Sequence, residues 1–204
     1  MNHNATIFLI DDDPAVRDSL VLLLEEADFS VLAFESAEAF LAVCPSTPRC
    51  CAIIDIRMPG LDGMKLQAEL VKQGMVLPII FLTGHGNIPM SVQAIKTGAV
   101  DFLTKPVSRA ALLVSVEAAL SECDRLQMQT QANQKATQCI ATLTEREREV
   151  LALAITGLAN KEIARNLNIS HRTIEIHKAR IMQKTGANTL LDLVRIAKEG
   201  GLYS

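Results

Sequence analysis

The sequence predicts two domains of different class. Residues 1–121 read as an α/β domain on a doubly wound, five-stranded parallel sheet, and residues 142–204 as an all-α, four-helix domain. Three observations carry this. Five short apolar runs alternate with amphipathic stretches through the first half. Between 122 and 141 the texture changes to "ECDRLQMQTQANQKATQCIA", which has no sustained apolar stripe and reads as a linker, helical at its start and looser later. Charge also divides: residues 1–121 hold 8 basic and 14 acidic side chains, net −6, whereas 142–204 hold 10 and 7, net +3. Such a split suits different partners for the two halves, and the positive half allows nucleic acid without proving it. A chain of 204 residues accommodates two small domains.

The apolar runs are "TIFLI" (6–10), "VLAF" (31–34), "CAIID" (51–55), "PIIFLT" (78–83) and "DFLTK" (101–105). Their unbroken apolar character suits strands buried on both faces. After the first, Val16, Leu20, Leu23, Leu24 and Ala27 recur at helical spacing, with Asp13 as N-cap and Pro14 in the first turn. "DGMKLQAELVKQG" and "IPMSVQAIKTGA" read as further helices. Right-handed crossovers then give a parallel sheet. In the second half, Thr144 and Glu147 form a capping box for "TEREREVLALAITG", which Gly157 stops. "NKEIARNL" (160–167) is a short second helix. "NIS" is a turn, Ser170 caps "HRTIEIHKARIMQK", and "GAN" breaks the chain before "TLLDLVRIAKEG".

Composition excludes some functions. Aromatics make up 3 % of the chain and Trp is missing, which argues against base-stacking platforms and large aromatic-lined pockets. No apolar run reaches membrane-spanning length. The start lacks a basic segment followed by an apolar one, so no secretion signal is expected and the cytoplasm is the expected compartment. Five cysteines, at 44, 50, 51, 123 and 139, form no C-x-x-C and are expected to be reduced thiols.

In doubly wound sheets, function gathers at the carboxyl ends of the strands. Strand 1 ends in Asp11, Asp12 and Asp13, strand 3 in Asp55, strand 4 in Thr83 and strand 5 in Lys105. Clustered carboxylates repel unless a cation or proton joins them, and hard oxygen ligands suit Mg²⁺. Lys105 adds a charge able to grip a phosphoryl group and Thr83 a hydroxyl donor. Carboxylate, divalent metal, hydroxyl and ammonium together make a site for transferring phosphate onto an aspartate, with Asp55 as nucleophile. Asp13 is expected to be a helix cap at the edge of the site and Asp62 a turn residue rather than a ligand. His85 has no second histidine nearby in sequence to make a metal or catalytic pair.

"DDDP", "IIDIRMPGLDG", "FLTGHG" and "KTGAVDFLTKP" resemble the receiver domain of two-component response regulators over residues 5–121. That resemblance implies a flavodoxin-like fold and a sensor histidine kinase that phosphorylates Asp55. It implies that Asp12 binds Mg²⁺ directly, that Asp11 assists, and that the Arg57 backbone carbonyl supplies another ligand. Thr83 and Lys105 would sense the phosphoryl oxygens. Phe102 takes the place of the family's switch aromatic, often Tyr, without its hydroxyl. Ile88, Val92, Lys96 and Asp101 would lie on the surface through which phosphorylated receivers pair.

After 142 the spacing is that of a helix-turn-helix. On the wheel of the helix from 171, Ile174 and Ile181 face inward with Lys178 beside them, and Arg172, Ile176, Ala179, Arg180 and Gln183 lie opposite, with Glu175 on the flank. An exposed Ile176 among cations suits a thymine methyl group, and Glu175 can accept from a cytosine amino group. Arg172, Thr173, Lys178, Arg180 and Lys161 can reach phosphates. A solvated charged face accounts for the charges equally well. "LTEREREVLALAITGLANKEIARNLNISHRTIEIHKARIMQKTGA" resembles the LuxR-type DNA-binding domain. With the receiver it resembles the FixJ/NarL class of transcription regulators, nearest the FixJ branch. The resemblance implies base contacts from Glu175 and Ile176 with Ala179 close by, a structural His177, double-stranded DNA and RNA polymerase as partners, and a homodimer on phosphorylation. A stripe of Leu190, Val194 and Ala197 suits either pairing or core packing.

Two other functions fit the sequence less well. A Mg²⁺-dependent phosphohydrolase using Asp55 would be expected to carry D-x-D-x-T, and "DIRMP" lacks the second acid. A ligand-sensing LuxR-type protein needs an apolar cavity in the first half, against which the acidic strand ends argue.

Overall fold

A computed structural model describes residues 5–43, 47–84 and 88–202, with backbone alone over 88–91. Cys44 and His85 lie outside the described residues, as does the Ile88 side chain. The chain divides into compact units at Leu126 and Gln127.

The first unit carries β1 (Thr6–Ile10), α1 (Pro14–Glu25), β2 (Ser30–Phe34), α2 (Ala37–Val43), β3 (Cys50–Asp55), α3 (Gly63–Lys72), β4 (Ile79–Thr83), α4 (Ile88–Lys96), β5 (Asp101–Thr104) and the start of α5 (Arg109–Ala141). The sheet is parallel throughout, in the order β2-β1-β3-β4-β5. Alternate residues of the three inner strands feed two cores. Ile7, Leu9, Ile53, Ile80 and Leu82 meet Leu20, Leu24, Leu112 and Val116 on one face. Phe8, Ile10, Ile54 and Phe81 meet Phe40, Leu66 and Leu70 on the other.

Burial on both faces holds for β1, β3 and β4 only. β2 exposes Ser30, Leu32 and Ala33, and no residue of β5 is fully buried. Both are edge strands, so each lacks a neighbour on one side. Asp13 is the expected N-cap of α1: its carboxylate accepts the amide N–H groups of Ala15 (2.9 Å) and Val16 (3.4 Å). The thiols of Cys50 and Cys51 are pushed up by burial, and neither of these cysteines, nor Cys123 or Cys139, forms a disulfide.

The stretch expected to loosen before 141 is helical to its end. α5 contains neither Gly nor Pro, so nothing in it breaks the hydrogen-bond ladder. Its Leu112, Val116, Ala119 and Leu120 belong to the first unit's core, and its Ala136 and Ile140 to the second's.

The second unit continues with α6 (Glu145–Ala154), α7 (Asn160–Leu167), α8 (His171–Thr185) and α9 (Leu190–Glu199). Val150, Leu151, Ile163, Ile174, Ile181 and Leu193 form its centre. α7 ends on Asn168 in the left-handed region (φ 52°), and α8 starts from the Ser170 cap. Glu147 completes the capping box by accepting the Thr144 amide N–H (2.8 Å). It also accepts from Lys184 Nζ at 2.6 Å, although it is only 2 % exposed. The Lys184 hydrogen bond, followed by the Thr144 amide, holds the Glu147 carboxyl at about 2 against an ordinary 4.5.

A depressed acid stabilises the fold above its unfolded pKa and loses that contribution as pH falls through the folded one. Acidification from about pH 4.5 to about 2 is therefore expected to remove on the order of 1–3 kcal/mol from this unit. Urea melts of wild type and Glu147→Gln should converge across that window. A difference that stays constant with pH would remove Glu147 as the cause.

Candidate functional site

The sheet order brings the charged strand ends together. Asp11 is fully buried, Asp55 is 7 % exposed and Asp12 faces solvent. One carboxylate oxygen from each lies within 4.8 Å of the others. Lys105 Nζ bridges the two buried acids, 2.5 Å from Asp11 Oδ2 and 2.6 Å from Asp55 Oδ2. The remaining oxygens are held by backbone: Asp13 N–H donates to Asp11 Oδ1 (3.0 Å) and Arg57 N–H to Asp55 Oδ1 (3.1 Å). Thr83 is fully buried at the end of β4, and its carbonyl accepts the Lys105 amide (2.8 Å).

Burial raises the Asp11 carboxyl, against the pull of Lys105 and the Asp13 amide. Burial alone would lower Lys105, but its bonds to Asp11 and Asp55 outweigh that and raise it. Lys105 bridges two of the three clustered acids, so negative charge remains in excess. Oxygen donors at this spacing with surplus negative charge fit a hard divalent cation such as Mg²⁺.

Phe102 is half-buried against the core under α3 and α4, and pairs in register with Phe81. Val92 and Lys96 are exposed on α4. Asp101 is half-buried and its carboxylate is occupied within the unit: Ser115 Oγ donates at 2.5 Å and the Phe102 amide at 2.7 Å. Two supports had no signal in the sequence. Arg17 Nη1 donates to the Asp11 carbonyl (2.7 Å), and Glu38 Oε1 accepts the Leu61 amide (2.9 Å), tying down the loop after β3. Each looks like an ordinary surface charge on an amphipathic helix until the fold shows its partner.

In the second unit α7, the turn and α8 form the expected helix-turn-helix. Ile174 and Ile181 are buried, while Arg172, Glu175, Ile176, Ala179, Arg180 and Gln183 are exposed. Ile176 is 43 % exposed, high for a β-branched apolar residue in a small domain. Glu175 lies 3.5 Å from Arg172 and 3.7 Å from His171. Lys161 is exposed at the start of α7. Thr173 is half-buried beside Ser170, its hydroxyl 2.8 Å from the Ser170 hydroxyl. Lys178 is also half-buried and donates to Asn160 Oδ1 at 3.0 Å, tying α8 to α7. His177 Nδ1 is shielded from solvent. The α9 stripe divides: Ala197 is core, Val194 is half-buried, and Leu190 and Leu191 are exposed.

Comparison with known proteins bears on both units. Residues 7–117 match the response regulator receiver domain family, and 141–197 match the bacterial regulatory proteins of the luxR family. The transcriptional regulatory protein FixJ of Bradyrhizobium diazoefficiens is 43 % identical over the whole of both chains. TdiR of Thauera aromatica is 40 % identical over 98 % of this chain and 88 % of its own. Among solved structures, the response regulator StyR aligns with a TM-score of 0.77 at 39 % identity, over 96 % of this chain and 98 % of its own. Full-length FixJ from B. japonicum aligns with 0.59 at 42 %, over 98 % and 99 %.

An acidic, lysine-bridged rim on a parallel sheet, joined to a helix-turn-helix unit, defines the class: a two-component response regulator acting as a transcription factor. The chain belongs to the FixJ-type family, which joins a receiver domain to a LuxR-type DNA-binding domain. This is a family of DNA-binding regulators rather than of enzymes, and the phosphohydrolase alternative finds no support in either domain match. Among the described residues no helix is long and apolar enough to cross a membrane.

Proposed function

We propose that Asp55 accepts a phosphoryl group from a sensor histidine kinase, and that the modified protein dimerises and binds promoter DNA through α8. The observation that carries this is Lys105 Nζ shared between Asp11 and Asp55 beside the buried Thr83. An Asp55 oxygen attacks phosphorus, the bond from phosphorus to the kinase's imidazole nitrogen breaks, and the imidazole leaves. Lys105, released from Asp55 Oδ2, follows the new phosphoryl oxygens, and the Thr83 hydroxyl donates to another. Asp12, Asp11, Asp55 and the Arg57 carbonyl would hold Mg²⁺, which supplies screening of the phosphoryl charge. Thr83 turning toward the phosphoryl group leaves room for Phe102 to follow, which alters the surface carrying Val92, Lys96 and Asp101. The chemical step biases a two-state population, and two tethered DNA-reading heads amplify the bias.

In this reading the receiver occupies 1–121, the connection 122–141 and the DNA-binding domain 142–204, and the protein works in the cytoplasm with RNA polymerase, as an activator. Glu175 and Ile176 read bases with Ala179 alongside, while Lys161, Arg172, Thr173, Lys178 and Arg180 meet the backbone. Because Lys178 is already bonded to Asn160, Arg180 is the cleaner test of a phosphate contact. Ile176→Ala is expected to cost about 1–3 kcal/mol at preferred sequences and little elsewhere. Arg180→Ala should weaken binding to all sequences alike and flatten its salt dependence. Gel shifts at two salt concentrations separate the two effects, and wild-type behaviour from both variants would mean that another face of the unit reads DNA.

A further inference from the structure

We infer that Gln67 and Thr97 form a polar clamp that sets the C-terminal end of α4 against α3, and through α3 against the loop that follows Asp55. The inference rests on the proposed pairing surface on α4 and β5. Gln67 is 4 % exposed, so its amide needs partners within the protein. It finds both on one residue: Gln67 Nε2 donates to the Thr97 carbonyl (3.1 Å), and Thr97 Oγ1 donates to Gln67 Oε1 (2.8 Å). The two residues are 30 apart in sequence and belong to neighbouring crossovers.

The other end of α3 is seated on the acceptor strand. Gly63, its first residue, donates to the Ile56 carbonyl at 3.0 Å. A Cβ on Gly63 would lie 2.5 Å from the Asp55 carbonyl, so there is no slack between helix and strand. Leu66 and Leu70, flanking Gln67, are buried in the core. A movement of the loop at 56–62 therefore displaces α3 as a body, and Gln67 sits one turn along it.

Thr97 makes the clamp two-state. Its hydroxyl has one proton and three acceptors in reach: Gln67 Oε1 at 2.8 Å, and within α4 the carbonyls of Ala94 (2.9 Å) and Gln93 (3.1 Å). Turned outward, the proton ties α4 to α3. Turned back, it adds a second donor to a carbonyl of α4 that already accepts a backbone amide, and leaves Gln67 with a single bond. Both arrangements keep the hydroxyl bonded, but only the outward one satisfies the buried Gln67 Oε1, so the clamp holds until α3 is displaced from α4. After Thr97 the chain turns at Gly98 (φ 96°), and the Val100 amide docks on the Ile79 carbonyl (2.8 Å) before β5 begins at Asp101. The clamp thus holds the segment joining Lys96 to Asp101.

Gln67→Leu and Thr97→Val should each weaken self-association of the acetyl phosphate-treated chain by about tenfold, toward the lower end of the range for coupled sites. Labelling at Asp55 should be unchanged. The double variant should be no worse than the more severe single one, because the pair acts as one unit. Thr97→Ser keeps the hydroxyl and should retain wild-type association. Sedimentation gives the association constants, and thermal melts identify any variant that has lost its fold. Should Gln67→Leu unfold, the contrast between Thr97→Val and Thr97→Ser still decides. Additive losses, or wild-type association in both single variants, would overturn the clamp. A wild-type chain that takes up phosphate without associating would overturn the proposed pairing surface, and the clamp with it.

Discussion

Asp55→Asn is expected to take up no phosphate from acetyl phosphate in the presence of Mg²⁺, while keeping its fold. The substitution is nearly isosteric, and the amide oxygen can still accept from Lys105 or from the Arg57 amide, so packing is preserved. What disappears is the nucleophile, because a neutral amide does not attack phosphorus as a carboxylate does. The proposed phosphorylation-dependent gains in self-association and DNA affinity should vanish together, leaving only basal binding. The readout is incorporation of labelled phosphate into intact protein, with circular dichroism to verify folding. Labelling of the variant equal to wild type would move the acceptor to another residue, and Asp11 and Asp12 would be the first to test.

Lys105→Met is expected to destabilise the first unit by about 3–5 kcal/mol near neutral pH without divalent cation, the usual effect of removing one partner from a buried ion pair. The Asp11 side chain has no exposure and that of Asp55 10 %, so neither can recover its lost partner from water. Burial already raises Asp11 in the wild type, and removing the ammonium takes away the main opposing influence. An acid raised in the folded state binds its proton more tightly there than in the unfolded chain. The variant should therefore recover stability as pH falls through the raised value and lose it as pH rises. Mg²⁺ should restore part of the loss at neutral pH by returning positive charge to the same oxygens. Denaturant melts at pH 5 and 7, with and without Mg²⁺, provide the check. Midpoints that follow wild type in all four conditions would show that the Lys105 bridge contributes nothing to the fold.

The inner strands were legible because a strand buried on both faces must be apolar throughout, and the caps because Asp13, Thr144 and Ser170 each sit where a helix has unpaired amides. The acidic rim was legible for a topological reason: in a doubly wound sheet, residues that end successive strands must meet. What stayed hidden depends on neighbours. Runs of the same apolar character at 31–34 and 101–105 became edges, since sequence does not state which strands flank a given one. The α5 tail looked formless because only Ala136 and Ile140 of its last turns are buried, too few to make a stripe. Arg17, Glu38 and Gln67 find partners 6, 23 and 30 residues away, and no local pattern marks such pairs. Lys178 was placed beside the inward face of α8 and is half-buried there, but its bond to Asn160 is a property of α7 and α8 together.

Lys105 stands 94 residues from Asp11 and 50 from Asp55. On the proposed reading, a chain still leaving the ribosome has no complete acceptor site until its fifth strand has emerged, however well the earlier strands have paired. Competence to receive a signal is then a certificate of a finished sheet. On that reading, a fragment ending before residue 105 would carry the acids without the ammonium that bridges Asp11 and Asp55.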